Sequence, residues 1–128
     1  PTVVDYKVAG VTGVDAANLN AVNAGVAATA NATGVNTVAK IQTIATAGDA
    51  KADAAKDKIA AYATVTDSTK KPTVEDYAAA GITGVDADNL NAVNAGVAKT
   101  DAAGVDTVEN IQTIATAGDG KADTAKNK

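Results

Sequence analysis

The sequence predicts an all-α protein made of tandem repeats that resemble three-helix bundles. Apolar side chains recur at intervals of three and four residues, the spacing that places them on one face of a helix. The sequence has no alternating strand pattern of useful length. The first half of the chain also returns, largely unchanged, in the second half.

The repeat has a period of roughly 70 residues. The segment from Asn18 to Ala27 returns unchanged as Asn89 to Ala98, and the segment from Ile41 to Asp49 returns as Ile111 to Asp119. Such similarity between neighbouring copies is typical of stalks, spacers and multivalent binders rather than of enzymes.

We divide the chain into a first repeat (residues 1–63), a linker (64–71) and a second repeat (72–128) that lacks the last residues of the first. The linker is polar, contains β-branched residues and is followed by a proline, as segments between domains often are. Because the chain opens on Pro1 and the second repeat stops at Lys128, we interpret the sequence as an internal fragment of a longer array.

The first predicted helix of each repeat is short. Thr2, with Asp5 three residues later, forms a capping-box-like start, and Gly10 ends the helix in the left-handed conformation. Tyr6 is expected on the inner side of this helix with its hydroxyl exposed. The second repeat carries the same pattern at Thr73, Asp76, Gly81 and Tyr77.

The second predicted helix follows a turn at residues 12–14 and is expected to be capped by Asp15. Gly25, in its interior, suggests close approach of a neighbouring backbone. Asparagine is frequent in this helix, and hydrogen bonding between helices or to solvent is favoured over a role in binding a partner. The inner face is predicted from Leu19, Val22 and Val26, and the asparagines are Asn18, Asn20 and Asn23.

The third predicted helix follows a loop at residues 31–34. Beyond Gly48 the same apolar spacing continues, so either one long helix crosses this glycine or Asp49 caps a new one. We favour a break, because the second repeat has a further glycine, Gly120, nearby. The apolar positions are Val35, Val38, Ile41 and Ile44, then Ala52, Ala55, Ile59 and Tyr62.

Composition argues against several functions. The chain has no Cys, His, Trp, Phe, Met or Arg, so we expect no enzyme and predict no catalytic, cofactor-binding or metal-ligating residue. Asp49 and Asp53 are close enough for a cation site, but Lys51 stands between them, which favours a helix start with exposed charges. The net charge of −4, with no basic patch, argues against nucleic acid, and no apolar run is long enough for membrane insertion.

Three pairs of residues carry a resemblance to a known family: Gly13-Val14, Val22-Asn23 and Gly34-Val35. In this order they resemble the GA modules of bacterial surface proteins and the GA-like repeats of giant bacterial adhesins. The resemblance implies a three-helix fold. Albumin-binding members carry aromatic residues early in the second helix, whereas Ala17 and Asn18 stand there in this chain, so albumin binding is not expected.

We therefore expect a spacer or stalk repeat in a large secreted adhesin or biofilm protein at the bacterial cell surface. Its expected partners are neighbouring repeats of the same chain. Two alternatives stay open: a module that binds a host or matrix protein through a helix face, and a unit that self-associates into filaments.

Overall fold

The architecture was derived from a computed structural model, which describes residues 1–29, 32–65 and 67–128. These residues contain α-helices and short 3₁₀ turns but no strand, which confirms the predicted all-α class. The α-helices are α1 (Val3–Val8), α2 (Leu19–Ala28), α3 (Val38–Val65), α4 (Val74–Ala79), α5 (Leu90–Val97) and α6 (Val108–Lys126). The 3₁₀ turns are Ala32–Val35, Ser68–Lys70 and Ala102–Val105.

The predicted helix starts at α1 and α4 are confirmed. The hydroxyl of Thr2 accepts a hydrogen bond from the backbone N–H of Asp5, and the Asp5 carboxylate accepts one in return from the N–H of Thr2 at 2.7 Å. This reciprocal pair satisfies backbone donors that a helix N-terminus leaves unpaired. Gly10 follows with φ +83°, the left-handed conformation that the sequence predicted.

The prediction that Asp15 caps the second helix is wrong. α2 begins about one turn later, at Leu19, and the Asp15 carboxylate instead accepts hydrogen bonds from the N–H groups of Ala17 (2.8 Å) and Asn18 (3.2 Å). Asp15 therefore stabilises a turn that leads into the helix. An Asp side chain serves either arrangement, because both present free N–H groups two and three residues ahead.

The start of the third helix also differs from the prediction. Asn31, in the predicted loop, lies outside the described residues. Val35 belongs to a 3₁₀ turn rather than to the apolar face of α3, and Val38, the first residue of α3, is 49% exposed. Ile41 and Ile44 face the protein, as predicted, and are partly buried.

The favoured break at Gly48 is wrong, because α3 runs without interruption from Val38 to Val65. A Cβ atom at Gly48 would lie 2.7 Å from Val22 Cγ2 and 2.8 Å from the Val22 Cα and N atoms. The glycine thus lets the backbone of α2 touch α3. In the second repeat Gly118 makes the same contact with Val93.

Two buried clusters form the core. The first repeat contributes Tyr6, Val11, Val22 and Ala45 to one cluster. The other cluster consists of Ala55, Ile59, Tyr62, Ala63, Tyr77, Ala80, Ile82, Val93, Val97, Val105, Ile111 and Ala115. α3 is common to both clusters, since its first half packs on α2 and its second half packs on elements of the second repeat.

The predicted linker is largely structured where it is described. Thr64 and Val65 belong to α3, and Asp67 caps the 3₁₀ turn by accepting a hydrogen bond from the N–H of Thr69 at 2.9 Å. Thr66 lies outside the described residues. The division into repeat, linker and repeat stays a sequence prediction, although residues 55–63 pack with the second repeat in space.

Helix α6 contains one glycine in close contact with another helix, Gly118, and one glycine in open space, Gly120, so the effects of the two can be measured separately. Gly118→Ala should lower the free energy of unfolding by about 1–3 kcal/mol, because the new methyl would overlap Val93. Gly120→Ala should raise it by about 0.5–1 kcal/mol, because nothing lies within 4 Å of that position and alanine restricts the unfolded chain. Urea denaturation of both variants measures the difference, and stabilisation of both would contradict the proposed close contact.

Candidate interaction interface between the repeats

The second half of α3 provides the main contact between the repeats. Ile59 is fully buried, and Ala55, Tyr62 and Ala63 are each at most 7% exposed. These side chains pack in the cluster that contains Tyr77 and other residues of the second repeat. Burying an Ile side chain contributes about 1.5–3 kcal/mol, so Ile59 makes a substantial contribution to the contact between the two sequence repeats.

An ion pair lies beside this apolar contact. The Lys58 ammonium on α3 donates a hydrogen bond to the Asp76 carboxylate at the start of α4. Burial raises the pKa of the Asp76 carboxyl, but hydrogen bonds from Lys58 and from Thr73 outweigh burial and hold the pKa below its ordinary value. The carboxylate therefore caps α4 and binds α3 at the same time.

A buried hydrogen-bond chain lies under the interface. The Tyr77 hydroxyl donates to Asn94 Oδ1 at 2.7 Å, and Asn94 Nδ2 donates to the Pro72 carbonyl at 2.9 Å. The hydroxyl is thus not exposed, which corrects the expectation for Tyr77. Burial raises the pKa of this phenol, with a smaller contribution from the nearby Tyr62 and from the negative charge of Asp76.

Tyr6 makes the equivalent bonds in the first repeat, so the expectation of an exposed hydroxyl is wrong there too. Its hydroxyl donates to Asn23 Oδ1 at 2.7 Å, and Asn23 Nδ2 donates to the Pro1 carbonyl at 2.9 Å. Asn20 is exposed. The predicted hydrogen-bonding role between elements is therefore confirmed for Asn23, and Asn20 lies on the solvent side.

Asn18 and Asp49 link α3 to the turn before α2. Asn18 Nδ2 donates to Asp49 Oδ1 at 2.8 Å and to the Gly13 carbonyl at 2.7 Å, while Asn18 Oδ1 accepts from the N–H of Asp15. Asp49 lies inside α3, so its predicted role as a helix cap is wrong. Its carboxylate is directed at a neighbouring element because α3 continues through Gly48.

The carboxylates of Asp49 and Asp53, the pair weighed above as a cation site, bind different partners. Asp49 bonds to Asn18, whereas Asp53 forms an ion pair with Lys56 at 2.8 Å. Over residues 1–29, 32–65 and 67–128, no group of three or more acidic side chains is placed to hold a metal ion. The prediction that the chain has no catalytic or cofactor-binding residue stays a prediction.

The start of the second repeat also touches the first directly. Gly81 has φ +83°, and a Cβ atom there would lie 2.8 Å from the carbonyl oxygen of Ala17. The sequence assigned this glycine only to ending a helix. Beside it, α4 faces the alanines of α2 across a shallow gap lined by Asn20, Ala21, Ala24, Lys51, Glu75, Ala78 and Ala79.

One feature of the sequence marks this interface. Ile59 and Tyr62 continue the apolar face of α3 beyond Asp49, which lies beside the start of α2, and they pack in a cluster made mostly of residues from the second repeat. A large apolar pair at the end of a helix, outside its own bundle, indicates a contact with the next unit. The side chains that receive the pair lie well over ten residues away, which sequence periodicity cannot show.

Comparisons with models of known protein families, with curated proteins and with solved structures found no match for this chain. The helices among the described residues are all too short or too polar to cross a membrane. The interface therefore has to be interpreted from its own geometry.

The ion pair predicts a pH dependence of stability. Because the folded-state pKa of Asp76 is lowered, its contribution is present above the unfolded value of about 3.9 and is lost as the pH falls through the folded pKa. Lys58→Met removes the partner and leaves the capping box of α4 intact. We expect Lys58→Met to cost about 1 kcal/mol at pH 7 and less at pH 2.5, as measured by urea denaturation.

The control is Lys51→Met, which removes the same charge from an exposed position on the same helix. It should change stability little at either pH. An effect of Lys58→Met that is equally large at pH 7 and pH 2.5 would show that the lysine acts through its aliphatic stem rather than through Asp76.

Proposed function

We propose that the chain is a spacer segment made of GA-like three-helix repeats, in which neighbouring repeats are joined in a fixed geometry. The observation that carries this proposal is the continuity of α3, which begins in one core and ends in the next. At 28 residues and 1.5 Å per residue, the helix is about 42 Å long. A helix held in this way resists bending at the junction.

The other contacts across the junction support the same function. The pair formed by Lys58 and Asp76 and the contact of Gly81 with Ala17 lie on different elements, and together they restrict rotation of one repeat about the axis of α3. A spacer requires reproducible joints, whereas a flexible tether requires none. The buried contacts between the two repeats favour a spacer with a fixed joint.

The composition fits a passive role outside the cell. We infer that the chain is not an enzyme and that it serves at the bacterial surface, within a large adhesin or biofilm protein, with neighbouring repeats as its partners. The sequence lacks cysteine and methionine, the side chains that are oxidised most readily, which suits an extracellular location. The absence of tryptophan and arginine removes two of the three residue types that most often dominate the energy of binding surfaces.

Small-angle X-ray scattering of longer arrays tests this function. Additional copies of residues 1–71 can be placed ahead of Pro1, because the new Lys71–Pro1 junction repeats the Lys71–Pro72 junction of the chain. We expect the maximum dimension to grow by the same increment for each added copy, with the mass of a monomer at every concentration. Increments that shrink with copy number would indicate flexible joints, and a mass that rises with concentration would indicate a filament subunit; either result would contradict the spacer.

A further inference from the structure

An apolar groove lies in the first repeat among α1, α2 and the start of α3, at the opposite end of α3 from the residues that pack with the second repeat. Its volume is about 260 Å³. The lining includes Pro1, Tyr6, Ala9, Val26, Val35 and Ile41. Val26, Val35 and Ile41 are only partly buried, and Ala9 is exposed.

The equivalent positions of the second repeat are covered. Val97, Val105 and Ile111 are at most 1% exposed, and Ala80 is fully buried. These residues belong to the same cluster as Ala55, Ile59, Tyr62 and Ala63 of α3. The groove of the first repeat is therefore the surface that, in the second repeat, receives the second half of α3.

The charges agree with this correspondence. Asp5 lines the groove and is exposed, and it makes the same capping box as Asp76. Asp76 additionally binds Lys58. A helix that entered the groove in the manner of α3 would bring a lysine to Asp5.

Two exposed valines extend the surface beside the groove. Val4 is 66% exposed and Val8 is 82% exposed, although both are large apolar residues on one side of α1. Their equivalents, Glu75 and Ala79, face α2 of the first repeat. An α2 helix in another repeat, placed in the same way, would lie beside Val4 and Val8.

We infer that this end of the first repeat is a docking surface for another repeat of the same kind. The occupant is a helix with the sequence of residues 49–65, whose apolar face enters the groove and whose lysine binds Asp5. The contact is head-to-tail, because the donor and the acceptor are different ends of a repeat, so it extends an array rather than closing a dimer.

The test joins a second copy of residues 49–71 to Pro1 in the full chain. Methyl NMR spectra of Val26, Val35 and Ile41 report whether the groove fills, and contacts from the added Ile59 and Tyr62 identify the occupant. We expect these methyl signals to shift toward those of Val97, Val105 and Ile111. We also expect the thermal midpoint to rise, and the pKa of Asp5 to be lower than in the matched control described next.

The matched control is the same extension with Ile59→Asp in the added segment only. This variant should leave the methyl signals and the thermal midpoint close to those of the original chain, because a buried carboxylate opposes docking. Both extended chains lack the charged amine of Pro1, which lowers the pKa of Asp5 in the original chain, so this pKa is compared between the two extended chains only. Identical methyl spectra for the two extended chains would overturn the assignment.

The docking surface rests on the proposed spacer function, because both involve end-to-end packing of repeats. The NMR test of the groove and the scattering test of the arrays therefore have to give independent results. Occupancy of the groove is measured by NMR in one dilute chain, whereas the spacer function is tested by the maximum dimension of arrays in small-angle scattering. A filled groove in arrays that bend would overturn the spacer only. Even growth of arrays with an empty groove would overturn the docking surface only.

Discussion

The close contact between α2 and α3 is the constraint on which the rest of the structure depends. The core is built from alanine, valine and isoleucine with a few tyrosines, so it gains enough contact only where backbones nearly touch. Gly48 admits Val22, and Gly25 admits Ile44, whose Cγ2 would lie 2.8 Å from a Cβ on that glycine. This spacing brings Asn18 within reach of Asp49 and sets the path of α3 toward the second repeat.

Buried amides give this small-residue core a defined register. Alanine faces can slide past one another at little cost, whereas a buried polar group without a partner costs about 1–3 kcal/mol. Asn18, Asn89 and Asn94 are buried and hydrogen-bonded. Within the described part of the chain, no buried side-chain nitrogen or oxygen lacks a partner. The asparagines therefore fix which turn of one helix faces which turn of the next.

Local signals in the sequence predicted the features that depend on local chemistry. The capping boxes, the left-handed glycine after α1 and the inner face of α3 from Ile41 onward follow from neighbouring residues alone. Gly48 was misassigned because its role is decided by Val22, on another helix, rather than by its own neighbours. The burial of the tyrosine hydroxyls and the contact between repeats were missed for the same reason, since the partners of Tyr77 and Ile59 are distant in sequence. No residue for catalysis or metal binding was predicted, and the apolar pair of Ile59 and Tyr62 marks the interface in the sequence without identifying the residues that receive it.

The shared helix also determines how damage spreads along such a chain. If α3 unfolds from Val65 backwards under tension, Ile59 and Tyr62 of the first repeat leave a hydrophobic cluster that consists mostly of residues of the second repeat. The loss of order in one repeat then weakens the next before force reaches it directly, so neighbouring units yield together rather than one by one. The unit that unfolds cooperatively is thus larger than one sequence repeat.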